Sequence, residues 1–226
     1  MNDKFKIVLS LIKNNEWKLI FNEAFRRFAS TELSYCLRRD LNLPFNKTKA
    51  KIPIKIREIE EKDLEQLLDS KTIYEDSEEF KENARRKLML NSGIKQCYIA
   101  TDENDKALYM QWLISYEEND KIKKVYKGGF AELNKNEMLL EGAYTIKSAR
   151  GKHIMSEAMA TISSIGKRQG ARYLLTYVKN DNISSLKGCQ KSGYRPYKLR
   201  KDRWFLFMRK IKFITLPVGT KYNFEE

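Results

Sequence analysis

The 226-residue chain is poor in the residues that build disulfides and transition-metal sites. It has three cysteines, Cys36, Cys97 and Cys189, and one histidine, His153. An odd cysteine count without paired spacing argues against a disulfide framework, and a lone histidine without a cysteine cluster fits no common zinc pattern. We therefore expect neither disulfides nor a metal site.

A long apolar run is also missing. Charged residues make up 33% of the sequence, and they interrupt the apolar stretch near the N-terminus. No stretch reaches the roughly 20 apolar residues that a membrane-spanning helix needs, and the N-terminal charges do not fit a secretory leader. Hydrophobic residues still make up 42%, which is enough for a substantial core. We expect a cytoplasmic globular protein.

Acidic residues are scarce in the C-terminal third, and the net charge of the whole chain is +14. Residues 147–213 hold 17 Lys or Arg against 3 Asp or Glu, whereas residues 58–142 hold 13 against 20. A basic block of this kind favours a polyanionic partner: a nucleotide cofactor, a nucleic acid or a membrane surface. The alternative is a compositional bias towards lysine.

Hydrophobic spacing predicts the order of the elements. Residues 3–29 show helical spacing, and residues 33–45 alternate like a strand that Pro44 ends. Strands are then predicted at 52–56, 96–101, 107–115, 138–146, 173–178, 194–199 and 204–213, and helices at 61–68, 78–91, 150–170 and 182–192. Residues 117–136 are predicted as a long loop or irregular hairpin. This order predicts an α/β (α+β) fold in which helices flank a mixed, mostly antiparallel central sheet.

We divide the chain into three parts on these patterns. Residues 1–51 are predicted as an N-terminal helical extension and linker, residues 52–213 as the main domain, and residues 214–226 as a C-terminal tail. The N-terminal helices are expected to pack on their own chain, on a second copy or on a partner, with a membrane surface as the other alternative.

The strand at 138–146 runs into a basic turn and a helix. Such a turn is typical of an anion site, because the first N–H groups of the helix point outward and the helix dipole adds positive potential. Arg150 and Lys152 add formal charge, and Gly151 lets the backbone approach a phosphate closely. The same pattern also occurs as a basic helix start without function.

A second group of residues follows at fixed spacing: Asn182, Ser185, Lys191, Gly193 and Tyr194. Together with Arg150, these residues resemble the GNAT superfamily of N-acetyltransferases. That family carries Arg/Gln-x-x-Gly-x-Gly/Ala after its fourth strand, and later Asn-x-x-Ala/Ser and Lys-x-Gly-Phe/Tyr. The predicted element order from 52 to 213 is also similar to that fold.

The resemblance implies that acetyl-CoA, or another acyl-CoA, binds between the fourth and fifth strands. Its pyrophosphate would lie on the turn from Arg150 to Met155, and its pantetheine arm would pair with the strand near Tyr144 and contact Asn182. The cofactor-binding residues implied in this way are Tyr144, Thr145, Ile146, Arg150, Gly151, Lys152, His153, Ile154, Met155, Asn182 and Ser185.

The resemblance also implies direct transfer of the acyl group from the thioester to a primary amine, which requires a base. Glu141 is the candidate, since burial in an otherwise apolar strand would raise the pKa of its carboxyl group. It can also point to solvent or pair with an arginine. Cys189 occupies the position of a tyrosine that protonates the CoA thiolate, and it is either that acid or a buried structural thiol. Tyr144 and Tyr177 are weaker candidates for acid or substrate contacts.

Three residues depart from the family pattern. His153 and Met155 stand where the family has small residues, and Cys189 stands where it often has tyrosine. These departures favour the alternative of a degenerate GNAT fold that binds acyl-CoA or a protein without catalysis. Nucleic-acid binding by the aromatic and basic residues of 194–204 is a third hypothesis. No RNA- or DNA-binding motif accompanies them, so nucleic acid is not expected as a partner.

Overall fold

The computed structural model describes residues 17–68 and 77–217, together with residues 219, 220, 222 and 224. Its helices are α1 (Trp17–Phe28), α2 (Glu61–Leu67), α3 (Ser77–Asn91), α4 (Asn119–Tyr126), α5 (Ile154–Arg168) and α6 (Ile183–Lys191). Its strands are β1 (Ala29–Asp40), β2 (Lys55–Glu58), β3 (Cys97–Thr101), β4 (Ala107–Ser115), β5 (Glu137–Thr145), β6 (Tyr173–Lys179), β7 (Arg195–Phe205) and β8 (Met208–Thr215). Short 3₁₀-helices at Tyr116–Glu118 and Lys147–Ala149 precede α4 and α5.

The eight strands of this described part form one sheet in the order β2-β3-β4-β5-β6-β1-β7-β8. Neighbouring strands are antiparallel except for β5 and β6, which run parallel. The prediction of a mixed, mostly antiparallel sheet flanked by helices is therefore confirmed. The strand β1 lies inside the sheet, because it pairs with β6 on one side and with β7 on the other.

Alternation along β4 explains why both faces of the sheet are covered. Tyr109 and Leu113 belong to a core cluster that includes residues of α5 and α6, whereas Met110 and Trp112 belong to a second cluster with residues of α2, α3 and α4. Successive side chains of a strand point to opposite faces, so an unbroken apolar run needs a helical layer on each side. None of the described helices is long and apolar enough to cross a bilayer.

Two predicted regions differ from the structure. The predicted loop at 117–136 contains α4, whose Ile122 is buried against the sheet. The closing hairpin is longer than predicted, because β7 continues through the charged residues 200–203 and turns at Leu206 and Phe207. Both turn residues have positive φ, 46° and 64°, where a two-residue hairpin usually has Asn or Gly. The sequence at the true turn therefore carries no turn signal.

The N-terminal segment is more strand than linker. The predicted strand at 33–45 lies at Ala29–Asp40, the predicted helical spacing of 3–29 corresponds to α1 from Trp17, and residues 3–16 lie outside the described residues. Helix α1 contacts β1, β7 and β8, yet Phe21 and Phe25 remain 69% and 73% exposed. The proposed division at residue 51 and the contact with a partner or a second copy remain predictions.

Candidate functional site

The parallel strands β5 and β6 part after three residue pairs. The last pair is Leu139 with Leu175, and beyond it β5 stays paired with β4 while β6 stays paired with β1. The two strands therefore open a wedge in the middle of the sheet. Backbone groups of β5 that would bond to β6 beyond this point have no ladder partner among the described strands, so they are available to a ligand.

Two adjoining cavities of 690 Å³ and 560 Å³ occupy this wedge. They share the lining residues Ala143, Tyr144, Arg150, Met155, Asn182 and Ser185. The larger cavity extends between α3, α4 and β5 on one side and β6, β1 and β7 on the other, whereas the smaller one surrounds the start of α5. Both volumes fall within the range typical of ligand pockets.

A β-bulge in β5 lies at the mouth of the wedge. Trp112 pairs with Glu141 and Met110 with Tyr144, so Gly142 and Ala143 together stand opposite Gln111. Gly142 has a φ of +70°, and a Cβ added there would lie 2.7 Å from the Trp112 ring. Only glycine fits this position. The bulge places both of its residues on the cavity wall, where the extra backbone groups are free of the β4 ladder.

The turn before α5 curls around the smaller cavity. Gly151 and His153 both have positive φ, 75° and 59°, and α5 begins directly after them at Ile154. No side chain of the described residues caps this helix, so its first N–H groups remain open to an anion. Arg150 lies at the rim, exposed, with its Nε donating to the Thr145 carbonyl oxygen at 3.2 Å.

His153 in this turn and Met155 in the first turn of α5 are both accommodated without loss of the cavity. His153 adopts the left-handed conformation that glycine would take there, at a cost of about 1–2 kcal/mol for an L-residue. Met155 lies against Gly188 of α6, with its Sδ 3.2 Å from the position that a Cβ of Gly188 would occupy. The GNAT pattern has a small residue at the position of Met155. Here Gly188 of α6 is the small residue, and it leaves room for the Met155 side chain.

The remaining predicted cofactor residues fall into two groups. Tyr144, Thr145, Asn182 and Ser185 line the smaller cavity, and the Asn182 side chain caps α6 by accepting from the Ser185 N–H at 3.2 Å. Ile146 instead packs against both core clusters. The Lys152 carbonyl oxygen accepts a bond from the Lys51 N–H at 2.9 Å, so Lys152 helps to attach the turn to the N-terminal segment.

Glu141 faces the larger cavity from the bulge. Burial, with the nearby Glu82 carboxylate, raises the pKa of its carboxyl group from 4.5 to about 7, although Arg85, Arg200 and a bond from the Gly142 N–H oppose that shift. The Tyr126 hydroxyl donates to Glu141 Oε1 at 3.5 Å. A carboxyl group with this pKa, still open to the cavity, has the properties of a general base near neutral pH.

Cys189 borders the larger cavity from α6, but only 1% of its surface is exposed. Burial raises the pKa of its thiol to about 12. A thiol of that acidity transfers a proton poorly to a thiolate whose conjugate acid has a pKa near the ordinary value of about 8.5. The structure therefore places Cys189 beside the wedge as a protonated, packed side chain.

Several residues that line the larger cavity are not predicted by the sequence patterns described above. Gly142 carries a usable signal, since an isolated glycine in a strand pattern indicates a bulge. Arg86, Tyr126 and Arg200 carry none, because long-range packing brings them to the cavity. Ten Lys or Arg side chains line the larger cavity against four Asp or Glu, so its wall is strongly basic.

Other reactive groups of the described chain lie apart or are packed. Cys36, Cys97 and Cys189 are unbonded and buried. Across the residues that the structure covers, no three His, Cys, Asp or Glu side chains come together as a metal site would require. Tyr177 lines the larger cavity, where burial raises its pKa and its hydroxyl accepts from the Ala131 N–H at 3.4 Å.

Comparison with known proteins points to one family. The family profile described as "Acetyltransferase (GNAT) domain" matches residues 54–195. No curated protein sequence matches the chain. A GNAT-family acetyltransferase structure from Colwellia psychrerythraea aligns at a TM-score of 0.47 and 12% identity, over 84% of this chain and 59% of that one. This chain thus spans less than two thirds of the length of that protein.

Two further solved structures are similar at low sequence identity. A GNAT-family protein from Novosphingobium aromaticivorans aligns at a TM-score of 0.48 and 11% identity, over 83% of this chain and 66% of that one. A GNAT-family acetyltransferase from Brucella melitensis, solved in complex with acetyl-CoA, aligns at 0.37 and 13% identity, over 55% of this chain and 75% of that one.

Proposed function

Because the chain belongs to the GNAT acetyltransferase family, we propose that it transfers an acetyl group from acetyl-CoA directly to a primary amine. One observation carries this proposal. Glu141, whose pKa is raised to about 7, faces a cavity that continues into an uncapped helix start suited to phosphates. A carboxylate that can deprotonate an amine and a site for an anion thus lie along one wedge.

The residues of the wedge fit the donor in three respects. The start of α5 offers open N–H groups to the pyrophosphate, and Arg150 adds a positive charge at the rim. The unpaired edge of β5 offers backbone groups to the amides of the pantetheine arm. Asn182 and Ser185 line the opposite side on α6. When bound, acetyl-CoA supplies the acyl group as a reactive thioester.

In this proposal Glu141 removes a proton from the acceptor ammonium. Its pKa near neutrality keeps part of the population ionised at pH 7 and still basic enough to accept a proton. The bulge at Gly142 orients the carboxylate by donating a backbone N–H to it. Tyr126 holds it from α4, at a hydroxyl-to-carboxylate distance of 3.5 Å.

We do not assign Cys189 as the acid for the departing thiolate. Its buried position and high pKa favour a packing role, and protonation by water in the open wedge replaces it in our proposal. We also place the reaction in the cytoplasm, which the three unbonded thiols support.

Donor binding is tested first, without reference to any acceptor. Acetyl-CoA at 100-fold excess over its dissociation constant should stabilise the protein by about 2.7 kcal/mol in thermal unfolding. Arg150→Ala should weaken binding about 10- to 100-fold, since a charge-assisted hydrogen bond is lost. Arg195→Ala, an exposed arginine outside both cavities, is the matched control.

Transfer is tested next with a panel of primary amines and detection of released thiol. Acylated product with stoichiometric thiol release would support the proposal. Donor binding without acylation of any amine would favour the non-catalytic module, and the absence of any donor binding would overturn both.

A further inference from the structure

Arg200 of β7 lies in the wall of the larger cavity without a carboxylate partner among the described residues. Its Nη1 donates to the Gly129 carbonyl oxygen at 2.8 Å, and its Nη2 donates to Ser34 Oγ at 3.0 Å. Its Nε is buried and has no hydrogen-bond partner within the described part of the chain. Its guanidinium also lies over the rings of Phe130 and Tyr177, at 5.7 and 5.5 Å.

The four acidic side chains that line the larger cavity are already engaged. Glu32 lies 3.7 Å from Arg26, Glu82 is bonded to Arg85, and Asp202 accepts from Arg209 Nε at 3.0 Å. Glu141 is held by Tyr126 and by the Gly142 N–H. The hydrogen-bond partners of Arg200 described above are therefore neutral groups, and a partly buried guanidinium with such partners gains from binding an anion.

The location of Arg200 separates it from the proposed donor phosphates. Its neighbours Ser34, Gly129, Phe130 and Tyr177 lie outside the smaller cavity, which holds the start of α5. Phe130, over which Arg200 lies, packs against the ring of Tyr126 with a centroid distance of 4.4 Å. The Tyr126 hydroxyl donates to Glu141, so Arg200 and Glu141 share one part of the larger cavity. A substrate whose only charge is an ammonium group is poorly suited to this cavity, because ten basic side chains line it against four acidic ones.

We propose that Arg200 binds an anionic group of the acceptor, so that the substrate is an amine that also carries a carboxylate or a phosphate. The assignment of this anion to the acceptor rests on the proposed acyl transfer, whereas the existence of an anion site at Arg200 does not. The planar guanidinium suits either anion, because both accept paired N–H donors. The anion would hold the acceptor while its amino group faces Glu141.

Direct binding tests the site without turnover. The protein is first saturated with CoA to occupy the phosphate site at α5, and inorganic phosphate or acetate is then titrated by calorimetry. We expect one further anion on the wild type and an affinity about 10- to 100-fold lower for Arg200→Gln. Arg195→Gln is the control, since Arg195 lies on the same strand, donates only to backbone carbonyl oxygens and is absent from the cavities. Equal anion binding by wild type and Arg200→Gln overturns the inference.

Acceptor pairs distinguish the two anions and the two proposals. Glucosamine with glucosamine 6-phosphate, and glycinamide with glycine, differ by one anionic group each. We expect kcat/KM about 10- to 100-fold higher for one anionic member in the wild type, and loss of that preference in Arg200→Gln. Arg200→Lys, which keeps the charge, tests the site if Arg200→Gln fails to fold, and it should retain part of the preference. A preference for neutral members overturns the inference, whereas anion binding at Arg200 without acylation of any amine supports the site and overturns the proposed transfer.

Discussion

The two ends of the wedge are built from different stretches of the chain. The end that we assign to the donor comes from β5, α5 and α6, all within the region matched by the family profile. The far wall comes largely from α1, β1, β7 and β8, which lie almost wholly outside that region. Glu141 stands at the junction between them.

The difference between these ends is one of recognition chemistry. A helix start and a strand edge present backbone groups, which bind the constant parts of a donor. The far wall presents side chains, with Arg26, Arg27 and Arg209 placed around the ring of Trp204 at 5.4 to 5.8 Å. Side chains vary without loss of the backbone frame, so the far wall is the part of the wedge suited to select an acceptor.

Removal of β1 should have the largest effect, because this strand supports the far wall. A chain beginning at residue 53 loses the strand that pairs with both β6 and β7, so we expect no cooperative thermal unfolding by circular dichroism. A chain beginning at residue 29 keeps β1 and is the control. Cooperative unfolding of the shorter chain at the same temperature would show that β1 is dispensable.

Glu141→Gln tests, through its effect on activity, whether the residue at the junction is the general base. Loss of the base should reduce turnover about 10²- to 10⁴-fold at neutral pH, with donor affinity nearly unchanged. Wild-type kcat/KM should rise as the pH passes about 7, where Glu141 ionises. Glu137→Gln, on the same strand, should keep full activity because the new amide still accepts from the Asn134 N–H. Equal rates for Glu141→Gln and wild type across this range would remove the base assignment.

Glu141→Gln should also change how the stability of the folded protein depends on pH. The pKa of Glu141 is about 7 in the folded state against 4.5 normally, so the folded protein holds a proton that the unfolded chain releases between these values. Stability therefore falls as the pH rises from 4.5 to 7. Glu141→Gln should be more stable than wild type by about 1–3 kcal/mol at pH 8 and equal to it at pH 4.

Gly142→Ala should damage the bulge that both ends share. A Cβ there meets the Trp112 ring at 2.7 Å, and we expect about 2–4 kcal/mol lower stability in denaturant unfolding. Gly93→Ala separates backbone strain from the clash, because Gly93 has a similar φ of +74° with no atom within 4 Å of the added Cβ. The control should lose only about 1–2 kcal/mol. Equal losses would mean that Trp112 moves aside without cost.

Cys189→Ala should have the smallest effect on the reaction. A packed thiol with a pKa of about 12 does not take part in proton transfer near neutral pH, so turnover should stay within about threefold of wild type. Stability should fall by about 1 kcal/mol through the lost packing. A loss of turnover above about 100-fold at unchanged stability would restore Cys189 as the acid.

The sequence predicted the donor end better than the far wall, because the donor end depends on local signals. Arg150 and Gly151 predict the turn before α5, and Asn182 with Ser185 predicts the start of α6. Each pattern spans only a few residues. The carboxyl of Glu141 was predicted in an apolar strand, but the face that it occupies depends on the bulge at Gly142. A one-residue shift in a strand reverses every side chain, so periodicity alone does not settle that face.

The far wall depends on pairings between distant parts of the chain. Nothing in residues 29–40 indicates that they pair with residues 195–205, and the charged residues 200–203 resemble a loop rather than a strand. The turn at Leu206 and Phe207 lacks the residues that usually mark a hairpin. Arg200 reaches the cavity only once these pairings exist, so no local pattern could identify it.

The position of β1 also sets an order of events during synthesis. Ala29 pairs with Phe205 and Arg38 with Arg195, so β1 meets one of its two partners only after the ribosome has also synthesised residues 195–205. Until then β1 has β6 at most, and its other edge stays open. Such distant pairings are formed slowly and leave an unpaired strand exposed to association with other chains. We therefore expect the refolding rate, more than equilibrium stability, to limit the yield of this protein when it is made rapidly.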